Sequence, residues 1–209
     1  MAADSRLSEQ YMIRSREIQR IFQIDEDIVF AGCGCFSDTS ALFSELRLQA
    51  QLFSWKSKRR LNYRSAAFLL AHILYTRRLS PYLSFNLIAS VDEQGEGRLF
   101  RYDCVGSFEE VVALCAGKAE HLIQPMIDEI CSKASKVNDS VTWIVDSSES
   151  FIEKNLYRID ESVEDSIEVV RKAFRAAAER EITLGDGLNV WVLRKGCGTE
   201  KRFYSLPKL

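Results

Sequence analysis

One junction limits what this chain can become. At residues 28–38 the apolar run Ile28-Val29-Phe30-Ala31 feeds a turn of small residues, Gly32-Cys33-Gly34-Cys35, and Asp38 stands where a helix should begin. Three more apolar-rich segments precede it and can be strands: Met1–Ala3, Tyr11–Ile13 and Ile18–Ile24. In the last of these, a period of two puts Ile18, Arg20, Phe22 and Ile24 on one face and Gln19, Ile21 and Gln23 on the other. Arg20 therefore falls on the more apolar face. A buried unpaired charge is costly, so Arg20 needs a carboxylate, and Asp4 is the candidate.

Downstream, the pattern switches in blocks. Phe36–Ser57 reads as a helix with a stripe of Leu42, Leu46, Gln49 and Phe53 beside Leu48 and Leu52, stopped by the basic run 56–60. Asn62 or Ser65 can cap a second helix that runs through Leu79. Its run Ala66–Leu74 is apolar nearly all round, which predicts deep cover and makes His72 a core histidine. Pro81 ends it. Ser84–Val91 and Gly97–Asp103 then flank the turn at 92–96 as a hairpin, and Ser107–Ala116 adds a third strand. Lys118–Ala134 reads as a third helix, either kinked at Pro125 or starting near Gln124 with Pro125 in its first turn. Residues 135–161 take no assignment; their apolar island suggests that Trp143 and Ile144 pack on another chain. A fourth helix starts near Asp160 or Ser162, where Ser162-x-x-Asp165 is like a capping box. Leu188–Arg194 and Lys201–Leu206 form a last strand pair around Gly196-Cys197-Gly198. Strands, two helices, strands, two helices, strands is an α+β order with antiparallel sheet.

The bulk numbers exclude some functions. The 209 residues suit one domain, 1–209. A formal charge of -2, from 28 Lys and Arg against 30 Asp and Glu, argues against a nucleic-acid or anionic-membrane partner. No run reaches the ~20 apolar residues of a membrane span, and no signal peptide is visible. The six cysteines read as free buried thiols. Cys33-x-Cys35 lacks the second pair or histidine that a metal site requires. His121 reads as a helix-surface residue.

The spacing Asp4, fifteen residues, Arg20, thirteen residues, Gly34-x-x-Ser37-Asp38 resembles the beta-subunit signature of the 20S proteasome. Tyr75-Thr76-Arg77-Arg78-Leu79-Ser80-Pro81-Tyr82, Asp92-Glu93-x-Gly95-x-Gly97 and Asp103-x-Val105-Gly106-Ser107 make it similar to the beta type-1 branch, which holds the sixth beta position. The resemblance implies a four-layer α-β-β-α sandwich of the N-terminal-nucleophile-hydrolase type. In active members an N-terminal threonine attacks the scissile carbonyl and its own α-amine, with a pKa of about 7.7–8.0, acts as base. A lysine and its aspartate partner place that amine, and backbone N–H donors with a serine complete the site.

Against that pattern the sequence keeps only Asp4. The threonine-bearing strand is expected ahead of Met1, and the sequence opens inside the strand after it. Arg20 stands at the lysine position and keeps its proton to above about 12. Lys118, in Ala116-Gly117-Lys118, replaces a serine. Arg180-Glu181-Ile182-Thr183-Leu184-Gly185 matches an Arg-Asp-x-x-Ser-Gly segment, with Glu181 for aspartate and Leu184 for serine. Gly198-Thr199 is a decoy, since cleavage there discards almost the whole fold. The resemblance thus implies a non-catalytic core-particle subunit with no cofactor and no metal, in the cytoplasm and nucleus. Its neighbours are the subunits at the fifth and seventh beta positions, an alpha ring and the opposite beta ring. The loop at Asp103, Val105, Gly106 and Ser107 is expected to shape the substrate pocket of the adjacent active subunit. An active threonine peptidase whose start is cut short, and a free-standing α+β binding protein, are the alternatives.

Overall fold

The computed structural model describes residues 1–135 and 163–207. Ten strands and four helices are found among them. In chain order they are β1 (Ala2–Asp4), β2 (Leu7–Glu9), β3 (Met12–Ser15), β4 (Ile21–Asp25), β5 (Ile28–Gly34), α1 (Phe36–Ser57), α2 (Tyr63–Thr76), β6 (Ser84–Val91), β7 (Gly97–Tyr102), β8 (Phe108–Val111), α3 (Glu120–Ser135), α4 (Val163–Ala178), β9 (Gly187–Arg194) and β10 (Gly198–Ser205). One sheet runs β4-β5-β6-β7-β8 and a second runs β1-β9-β10; β2 and β3 form a separate hairpin. Every pairing is antiparallel.

Alternation along β5 builds two layers at once. Ile28 and Phe30 point to the helix side and join Leu42, Leu46, Leu70 and Leu74 of α1 and α2. Val29 and Ala31 point the other way and meet Ile21 and Trp191 between the sheets. Ile123 of α3, Ile167 and Ala177 of α4, and Leu188 and Val190 of β9 make a third core. The order is therefore helices, five-stranded sheet, three-stranded sheet, helices: the four-layer sandwich that the resemblance implies.

The strand–turn–helix junction is held by β6. Cys35 N donates to the Leu83 carbonyl at 2.8 Å, and Leu83 N donates back to Asp38 Oδ2 at 2.9 Å. Gly34 is required there: its φ is +108°, and a Cβ would lie 2.5 Å from the Leu83 carbonyl oxygen. Asn62, not Ser65, caps α2, accepting from Ser65 N at 2.7 Å.

Several expectations need correction. The three-residue β2 was not foreseen, since Leu7-Ser8-Glu9 has no apolar alternation. β4 begins at Ile21, so Arg20 lies in the approach to the strand and not on its pleated face. β8 stops at Val111, short of Ala116. α2 ends at Thr76, not Leu79, and it is not deeply covered: Phe68, His72 and Tyr75 form an exposed outer stripe, so His72 is no core histidine. On α1, Leu48 and Leu52 are likewise exposed. The cysteines form no disulfide among the described residues, but none is buried; Cys35 and Cys197 are exposed and the other four intermediate. Pro125 lies inside α3, where its missing N–H forfeits the bond to the His121 carbonyl. His121 is exposed. Trp143, Ile144 and the Ser162 cap lie outside the described residues. Among the described residues no helix is long and apolar enough to cross a membrane.

Candidate functional site

β1 ends at Asp4, paired opposite Leu188 of β9, and the segment leading into β4 brings Arg20 beside it. Arg20 Nε lies 3.2 Å from Asp4 Oδ1, and both side chains are mostly buried. The contact is an ion pair without a well-aligned hydrogen bond at Nε. Arg20 is held from its other end, where Nη2 donates to the Arg6 carbonyl at 2.7 Å. Burial dominates the carboxyl: it pushes Asp4 up to about 6 against the opposing pull of Arg20.

A cleft of about 1000 Å³ opens between the sheets, and Asp4, Arg20, Lys118 and Leu184 all line it. Four of the five predicted positions are therefore gathered at one place. Glu181 is not on its wall. Its carboxylate is turned to Thr183, accepting from the hydroxyl at 2.7 Å and the amide at 3.0 Å, and these bonds hold its pKa below the usual range. Cys33 and Cys115 also line the cleft. Burial raises both thiols, Cys115 to about 11, so neither is poised as a thiolate at neutral pH. Asp4 is moved toward neutral pH. The four gathered positions supply one carboxylate, two basic side chains and one apolar side chain.

A network missed in the sequence supports this site from behind. Arg6 is fully buried, donating from Nε to Asp186 Oδ2 at 2.7 Å and from Nη1 to the Ile182 carbonyl at 2.8 Å. Arg16 reaches the other oxygen of Asp186. Hydrogen bonding from Arg6, joined by Arg16, keeps the Asp186 carboxyl below its ordinary range. Gly185 leaves room for the guanidinium, since a Cβ there would come within 2.5 Å of Arg6 Nη2. The signal in the sequence was weak: an aspartate set between Gly185 and Gly187, with Arg6 some 180 residues away.

The Asp103–Ser107 loop does not line the cleft. Asp103 Oδ1 accepts from the amides of Val105, Gly106 and Ser107 at 2.9, 2.7 and 2.8 Å. Gly106, with φ of +100°, presses on α2, where a Cβ would sit 2.5 Å from the Ala71 carbonyl oxygen. This loop is fixed by its own carboxylate and by the helix beneath it.

Comparison with known proteins agrees with this geometry. A family described as "Proteasome subunit" matches residues 1–153. The chain is 33% identical over 195 residues to the "Probable proteasome subunit beta type-6" of Encephalitozoon cuniculi (strain GB-M1), covering 93% of this chain and 60% of that protein. It is 30% identical to the "Proteasome subunit beta type-6" of Saccharomyces cerevisiae (strain ATCC 204508 / S288c) over 209 residues, covering all of this chain and 83% of the yeast protein. Against the "Proteasome subunit beta type-1" of Oryza sativa subsp. japonica it is 29% identical over 212 residues, with 88% of the rice protein covered.

Proposed function

Because the chain belongs to the proteasome subunit family and is a beta-type subunit of the core particle, we propose that it is a non-catalytic, structural member of the beta ring. In this reading it is one domain at the sixth beta position. The fifth and seventh subunits flank it, and an alpha ring and the opposite beta ring lie above and below. It closes the chamber in which neighbouring active subunits degrade protein, in cytoplasm and nucleus, and binds neither nucleic acid nor membrane. Its Asp103–Ser107 loop lies against the adjacent active subunit and helps shape that subunit's substrate pocket.

The observation that carries this reading is Arg20. Where active members of the family hold a lysine, a guanidinium is fixed between Asp4 and the Arg6 carbonyl. Lysine can shed its proton when its surroundings press on it; arginine cannot. Lys118 and Leu184 support the same reading, since neither supplies the hydroxyl that the family pattern places there.

The test is a mechanism-based probe for N-terminal threonine nucleophiles, applied to intact particles. The neighbours are expected to be labelled and this chain not, and Arg20→Lys alone is expected to leave it unlabelled. Labelling of the wild-type chain would instead establish an active threonine peptidase and end the structural reading.

A further inference from the structure

A serine stands in the exposed turn that follows α2. Ser80 lies in solvent, as do all of residues 75–80. Its backbone N–H donates to the Arg77 carbonyl at 2.9 Å, and among the described residues nothing bonds its hydroxyl. Hydroxyls nearby on the helices are occupied: Thr76 Oγ1 donates to the Ile73 carbonyl at 2.7 Å, and Ser57 Oγ to the Phe53 carbonyl at 2.8 Å. Leu79, just before Ser80, is 93% exposed. Pro81, just after it, disfavours the helical region for Ser80 and favours an extended backbone there.

Two arginines precede this serine. In the whole sequence only Ser80 has arginines both three and two positions before it, Arg77 and Arg78. Neither forms an ion pair with an acid among the described residues. Each lies against a ring instead, Arg77 at 5.0 Å from the centre of Tyr82 and Arg78 at 4.8 Å from that of Tyr75. Such contacts hold a cation in place without neutralising it. Ser205 also has an arginine three positions ahead, but that guanidinium, of Arg202, is taken up by Glu164 and Glu200.

We propose that Ser80 is a phosphorylation site, selected through Arg77 and Arg78 by a protein kinase whose substrate groove is lined with carboxylates. Ser80 Oγ attacks the γ-phosphorus of ATP; the new Oγ–P bond forms as the bond to the bridging oxygen of ADP breaks, and the hydroxyl proton passes to the kinase's base. Carboxylates of the groove bond the two guanidinium groups in the bidentate manner that arginine favours, and kinases do choose substrates by charge pattern. Lying extended in the groove gives up the turn bond between Ser80 and Arg77. The phosphate carries a charge of about -1.5 to -2, so a turn with two uncompensated arginines becomes nearly neutral. The C-terminal end of α2 just upstream disfavours an anion, and the two cations offset that.

The test incubates the full chain with ATP and either cyclic-AMP-dependent protein kinase, as a kinase selective for paired arginines, or a proline-directed kinase, with the site read by mass spectrometry. The expected result is phosphate on Ser80 from the first kinase. Its kcat/KM should fall about tenfold in Arg77→Ala or Arg78→Ala and about a hundredfold in the double variant, with partial recovery in Arg77→Lys/Arg78→Lys. Unchanged size-exclusion elution establishes that the variants are folded. Chain isolated from cells under phosphatase inhibition should carry phosphate at the same residue. No transfer, phosphate on other residues instead, equal transfer to the alanine variants, transfer only by the proline-directed kinase, or no phosphate at Ser80 in the cellular chain each overturn the inference. The core-particle reading stands or falls independently of all these outcomes.

Discussion

Asp4 and Asp186 are two carboxylates with opposite fates, and their pH signatures separate. Asp4 has a folded pKa raised to about 6 by burial, so its contribution to stability is complete below about 4 and is lost as pH rises toward 6. The loss is on the order of 3 kcal/mol. Chemical denaturation between pH 4 and 6 should show this fall in the wild-type chain and a flatter profile in Asp4→Asn. Asp186 is depressed by Arg6 and Arg16, so its contribution is present above the ordinary aspartate pKa and disappears as pH drops below about 4. Asp186→Ala leaves the fully buried Arg6 guanidinium without its carboxylate and should cost about 3–5 kcal/mol at neutral pH; a loss below 1 kcal/mol would mean that water replaces the partner. The Asp4–Arg20 pair was legible because an arginine among apolar residues must find an acid. The supposed strand face was the wrong reason, since Arg20 precedes β4. Arg6 was far less legible, because only the setting of Asp186 between two glycines hints at the network and nothing in Ser5-Arg6-Leu7-Ser8 marks one arginine as buried.

At the level of elements, the junction of β5, α1 and β6 concentrates the most constraint in the fewest residues. Gly34→Ala asks for a left-handed backbone and a Cβ against the Leu83 carbonyl, and should lose about 1–3 kcal/mol by denaturant titration. Gly97→Ala, with nothing within 4 Å of the added methyl, serves as the quiet control. The turn of small residues announced this junction in the sequence. The apolar run of α2 misled, because periodicity reports what a helix can bury and not which molecule does the burying. β2 escaped because three residues without alternation give no period to read. Resolution of the Pro125 alternatives also needed the structure: a proline five residues past Glu120 suits either placement until packing decides.

For the molecule as a whole, block order indicated α+β, but the stacking of two sheets with helices outside came from family resemblance. Alternating faces tell which residues are buried and not against which layer. Exposed Leu48, Leu52 and Trp55 on α1 and Phe68 and Tyr75 on α2 make a chain poorly suited to solitude. Native material should migrate with a particle of hundreds of kDa in size-exclusion chromatography; a stable monomer from cells would favour the free-standing alternative.

Asp103 spends one oxygen on three amides of its own loop, and in the ring position proposed above that would have an outcome beyond this chain. A segment already frozen gives up little disorder when something settles against it, so an adjoining cavity inherits a finished contour. Asp103→Ala should therefore alter which peptides a neighbour prefers to cut, measured with fluorogenic panels on whole particles, while the thermal stability of the rings barely moves. The stiffness of one tight bend would thus be felt as selectivity in a different polypeptide.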